Sequence, residues 1–124
     1  MENSLKGGFL MLNNEQLKLI KSLTKVDNKS ISKRMLKIVE ELGECSEALL
    51  SYEEVSGCGY KKRTTSHILE ESIDVLLCSL SFLYQVAEEY EFSDKETEVL
   101  LNKKLVKWEK KVTAPKENSE DDCM

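Results

Sequence analysis

The stretch from Ile31 to Val55, ISKRMLKIVEELGECSEALLSYEEV, decides how this chain folds. Its apolar residues Ile31, Met35, Ile38, Leu42, Cys45 and Leu49 recur at alternating spacings of four and three. That period lines up side chains on one face of an α-helix, not on one side of a strand. Leu36, Val39 and Leu50 widen the face to roughly half the circumference at about 100° per residue. One neighbouring helix does not cover so broad a face, so the segment should touch two others, one of which could come from a second subunit. Ser30 or Ser32 can cap its start, and Gly57 and Gly59 permit the left-handed turn that ends a helix.

Working outward, Asn13 or Asn14 can cap an earlier helix, with Gln16 in the first turn and Leu17, Leu19, Ile20, Leu23 and Val26 as its apolar side. Asp27-Asn28-Lys29 closes it. A third helix should begin near Thr65 or Ser66 and reach about Tyr90. From Ile73 to Ala87 its large apolar residues occupy every side, the mark of a central helix. Ser93 and Glu96 have the spacing of a capping box for a fourth helix, whose stripe of Leu101, Leu105, Trp108 and Val112 should pack against the others, Trp108 as a core residue. The organisation expected is all-α: an N-terminal extension over 1–12, one four-helix domain over 13–112, and a disordered tail over 113–124 that has no apolar period.

Composition agrees. In 124 residues, 33% are charged, 40% are hydrophobic and a single proline interrupts the chain, which favours helices joined by short loops. A domain this small gains from a further interface, so a homodimer or homotetramer is expected. The formal net charge of -5 speaks against nucleic acid, whose phosphate backbone needs a concentrated positive face. The longest uncharged stretch, Val75 to Ala87, falls short of the roughly 20 residues of a membrane span. No basic n-region or adequate apolar h-region opens the chain, so a cytoplasmic location is expected, with Cys45, Cys58, Cys78 and Cys123 as reduced thiols.

Glu41 and Glu44 stand three apart on the second helix, and Glu71 and Asp74 repeat that spacing on the third. Glu41 and Asp74 are equally distant from a midpoint between Gly57 and Cys58, and so are Glu44 and Glu71. An antiparallel hairpin folded there would set the pairs opposite each other. Four carboxylates at one level repel, and Asp74 leads into an apolar helix, so a cation should neutralise them. An all-oxygen donor set without histidine or thiolate suits Mg²⁺, with Mn²⁺ as a substitute. Glu47, Glu53, Glu54 and Glu70 read as a solvated face.

The stretch Glu40-Glu41-Leu42-Gly43-Glu44-Cys45-Ser46-Glu47-Ala48, followed by Glu70-Glu71-Ser72-Ile73-Asp74-Val75-Leu76-Leu77, resembles the E-x-x-E and E-x-x-D signature of the MazG-like, all-α NTP pyrophosphatases. The resemblance spans about Asn13 to Val112. It departs at Ser72-Ile73, where many relatives carry a small residue before the aspartate. It implies cleavage between the α and β phosphates of a nucleoside or deoxynucleoside triphosphate, giving the monophosphate and pyrophosphate, with Glu41, Glu44, Glu71 and Asp74 as ligands. Glu40 resembles the residue proposed to activate water in some relatives; as a residue it reads equally as a surface glutamate.

Phosphate oxygens not facing a metal need cations, and the candidates are Lys61, Lys62 and Arg63 in the loop and Lys103, Lys104 and Lys107 on the last helix. Lys110 and Lys111 complement a helix C-terminus. His67 has no partner at a nucleophile's spacing and reads as structural. Two other readings stay open: a relative acting on phosphoribosyl-ATP, and a non-catalytic helical bundle that binds a metal or a partner helix through the same acidic face.

Overall fold

The computed structural model describes residues 11–53 and 64–115, which form four α-helices and, among the described residues, no strand. They are α1 (Asn14–Val26), α2 (Ile31–Tyr52), α3 (Thr65–Glu89) and α4 (Asp94–Thr113).

Each helix begins where a side chain can accept the backbone N–H groups that its first turn leaves unbonded. Asn13 Oδ1 accepts from Gln16 N at 2.8 Å while Gln16 Oε1 accepts from Asn13 N at 2.9 Å, a reciprocal capping box. Ser30 Oγ accepts from Lys33 N at 3.1 Å and Thr64 Oγ1 from His67 N at 3.2 Å. Ser93 and Glu96 form the second capping box, at 3.0 and 2.8 Å. The helix starts therefore fall where the polar residues place them. α2 ends at Tyr52, three residues before Val55, with Glu53 N donating to Leu49 O. Gly57 and Gly59 lie outside the described residues, as do most of the extension over 1–12 and the tail from residue 116.

The α3–α4 turn uses no glycine. Glu91 takes a φ of 59°, and Phe92 N reaches back to Ala87 O at 2.8 Å. The left-handed residue after a helix is usually glycine, because a Cβ there crowds the backbone.

α3 is central, packing against both α2 and α1. It runs antiparallel to α2: Arg34, near the start of α2, bonds Gln85, near the end of α3, while Glu41 and Glu44 further along α2 meet Glu71 near the start of α3. The buried interior is thin. Among the described residues Ala48, 1% exposed, is the one apolar residue fully inside, accompanied by Ser51, Thr24, Arg34 and Glu41. The all-round apolar face of α3 is only half-buried, and Ile73, Leu77 and Leu83 stay exposed.

One packing expectation is corrected. α4 does not lay its stripe on the other helices: Leu101, Leu105, Trp108 and Val112 are all exposed, Trp108 at 57%. α4 is joined at its first turn, where Lys21 Nζ meets Asp94 Oδ1 at 3.0 Å, and it makes no extensive contact with α2 or α3. Periodicity identified an apolar stripe but not what covers it. α2 packs on α3 and reaches the end of α1 through Arg34, so two helices of this chain touch it, while Leu36 remains 67% exposed.

Candidate metal centre

The antiparallel pairing of α2 and α3 brings together Glu41 and Glu44 from α2 and Glu71 from α3, each with a carboxylate oxygen within 4.8 Å of the others. Among the described residues this is the one grouping of three such side chains with metal-ligating spacing. The i,i+3 spacing on α2 aims Glu41 and Glu44 the same way, and the helix contact supplies the third acid.

The three differ in environment. Glu41 is 7% exposed and Glu71 half-buried, whereas Glu44 opens to solvent. Glu71 Oε1 is enclosed and has no hydrogen-bond partner. A buried carboxylate oxygen left unbonded is costly, and a cation beside it would offset that cost. The Glu44 carboxyl is pushed above its ordinary value, chiefly by the charge of Glu41, then by desolvation and by Glu71 and Glu40. The 4.8 Å limit on the separations of the three oxygens is close to the roughly 4.2 Å between opposite ligands of an octahedral Mg²⁺.

Lys37 partly offsets the charge, and His67 stands beside the cluster. Lys37 Nζ lies 3.1 Å from Glu41 Oε2 and 3.3 Å from Glu40 Oε1, one turn back on α2. These contacts, with Glu41 first, raise the Lys37 pKa far above its ordinary value. His67 Nε2 lies 3.6 Å from Glu71 Oε2, one turn back on α3. Neither was singled out as part of the site from sequence, although the i,i+4 spacings Lys37–Glu41 and His67–Glu71 are the signal that finds them.

Asp74 lies outside the three-acid convergence and is exposed, as are Ile73 and Leu77. It follows Glu71 by three residues along α3. Glu40 is exposed and held by Lys37. Lys103, Lys104 and Lys107 are exposed on α4 and are not gathered at the acids. Lys61, Lys62 and Arg63 lie outside the described residues. Cys45 and Cys78 are free, half-buried thiols, and burial raises the pKa of Cys78. No described helix is long and apolar enough to cross a membrane.

No protein-family model, no curated protein and no solved structure matches this chain.

Proposed function

We propose that this protein is a divalent-cation-binding helical bundle whose acidic centre holds Mg²⁺, or Mn²⁺ in its place, through Glu41, Glu44 and Glu71, with Asp74 three residues further along α3. The observation that carries this reading is the enclosed, unbonded Glu71 Oε1 beside two other carboxylates. Carboxylates gathered this closely repel one another. Lys37 offsets only part of that.

The finer reading is a nucleoside or deoxynucleoside triphosphate pyrophosphohydrolase of the MazG-like kind, yielding the monophosphate and pyrophosphate. It is supported by the joint E-x-x-E and E-x-x-D pattern and by the pairing of its two helices. A bound Mg²⁺ would supply the positive charge that a polyphosphate needs at an acidic surface. The chain's own residues would hold the ion, and the resemblance makes Glu40, paired with Lys37, the candidate proton acceptor. The exposed apolar residues of α2 and α4 favour a second copy of the chain as partner, in a homodimer or homotetramer.

Two measurements separate these levels. Mn²⁺ binding followed by electron paramagnetic resonance should be saturable in the wild type and lost in Glu44→Gln; absence of binding would sink the metal centre. Pyrophosphate release from a panel of nucleoside triphosphates, deoxynucleoside triphosphates and phosphoribosyl-ATP should then identify the substrate. Saturable metal binding with no release from any of them would leave the non-catalytic bundle as the function.

A further inference from the structure

One turn along the α2–α3 contact from the acids lies a cavity of about 220 Å³ lined by Asp27, Lys29, Arg34, Lys37, Leu77, Cys78 and Ser81. Three cations against one carboxylate is an unusual wall for a chain of net charge -5. Its position is continuous with the metal centre, because Lys37 both lines the cavity and touches Glu41.

The wall is held in place from within. Arg34 is 6% exposed, and its Nη2 donates to Thr24 O at 2.8 Å and Asp27 O at 2.6 Å. Its Nη1 has only a 3.9 Å contact with Asp27 Oδ2, beyond hydrogen-bond range. Gln85 Nε2 donates to Lys29 O at 2.8 Å, fixing the backbone that carries the Lys29 side chain. Lys29 Nζ in turn meets Asp27 Oδ2 at 2.7 Å. The cavity is smaller than the roughly 300 Å³ at which small-molecule pockets begin, so it suits one anionic group rather than a whole nucleotide.

We propose that this cavity is an anion subsite that takes a phosphate group, with Lys29, Lys37 and the free edge of Arg34 as its donors. It deepens the reading above, on which it rests in taking that phosphate as part of a polyphosphate reaching toward the acids. It also replaces the α4 lysines as phosphate contacts. An ammonium or guanidinium facing phosphate oxygens makes the strong, charge-assisted kind of hydrogen bond.

The probe is inorganic pyrophosphate, titrated in EDTA into the full chain and followed by calorimetry and by the alkylation rate of Cys78, read by mass spectrometry. Wild type should bind saturably and protect Cys78 but not Cys45. Lys29→Met and Lys37→Met should each weaken binding roughly tenfold or more, while Lys107→Met should not. Lys37→Arg, which keeps the charge, should retain binding and so separates loss of a contact from loss of fold. Glu44→Gln should keep pyrophosphate binding while losing Mn²⁺. Wild-type Mn²⁺ binding that fails while pyrophosphate still binds would refute the metal reading and uphold the anion subsite. No saturable pyrophosphate binding in EDTA, or binding indifferent to both lysine variants, would overturn the subsite.

Discussion

Arg34 and Gln85 are hydrogen-bonded across the α2–α3 contact, Nε to Oε1, and the same guanidinium closes the end of α1 through Thr24 O and Asp27 O. One buried cation thus joins three helices where the apolar interior is thin. Arg34→Met should leave two helix-terminal carbonyls and the Gln85 amide oxygen without that donor. The expected loss is about 2–4 kcal/mol, from unbonded polar groups and not from lost apolar area. Urea denaturation checks it, and an unchanged midpoint would show that water replaces the guanidinium without cost.

The raised pKa of Glu44 sets a pH dependence. With a folded-state value above the ordinary 4.5, the folded chain keeps a proton that the unfolded chain has released. Stability in EDTA should therefore fall as pH rises from about 4.5 through the raised value, and then level off. Asp27, lowered chiefly by its hydrogen bond from Lys29, works the other way: its contribution is present above 3.8 and is lost as pH falls. Comparing wild type with Glu44→Gln isolates the first effect. The variant should be the more stable at pH 7, with the gap closing toward pH 4, in denaturation at a series of pH values. A gap independent of pH would mean that Glu44 feels no net repulsion.

Glu91 holds a left-handed backbone at a position where glycine is relieved of the Cβ clash. Glu91→Gly should raise stability by about 1 kcal/mol, and Glu91→Ala should not. Thermal denaturation of both variants decides it; equal midpoints would place the strain elsewhere.

The single tryptophan reports on α4. Trp108 is exposed in the isolated chain together with Leu105, at 46%. If a second copy covers this stripe, Trp108 emission should move to the blue as protein concentration rises, and Leu105→Asp should abolish the shift and yield a monomer in sedimentation. A wild type that stays monomeric with solvent-exposed emission at every concentration would leave the stripe without a self-partner.

Much of the fold was legible in the sequence because its cues are local. Asn13, Ser30 and Ser93 each accept an N–H three residues on, as their spacing announced, and such caps depend on neighbours along the chain alone; Thr64, which caps α3, stands one residue before the start read from sequence. That Glu44 and Glu71 meet was legible for a related reason, since antiparallel helices repeat in register, whereas Asp74, expected opposite Glu41 by the same symmetry, is not in the three-acid grouping. Glu91 was not legible, because nothing in its residue type announces a left-handed turn.

By itself the amino-acid order determined four capped helices, the antiparallel pairing of the second and third, and which acids could meet, all consequences of helical period and short-range hydrogen bonding. Tertiary structure alone decided that Asp74 lies outside the three-acid grouping, that α4 leaves its stripe exposed, and that Lys29, Arg34 and Lys37 share one cavity. Those outcomes depend on how far apart helix axes lie and where a side chain ends in space. Periodicity marks which face of a helix is apolar, but only packing chooses the neighbour that meets it.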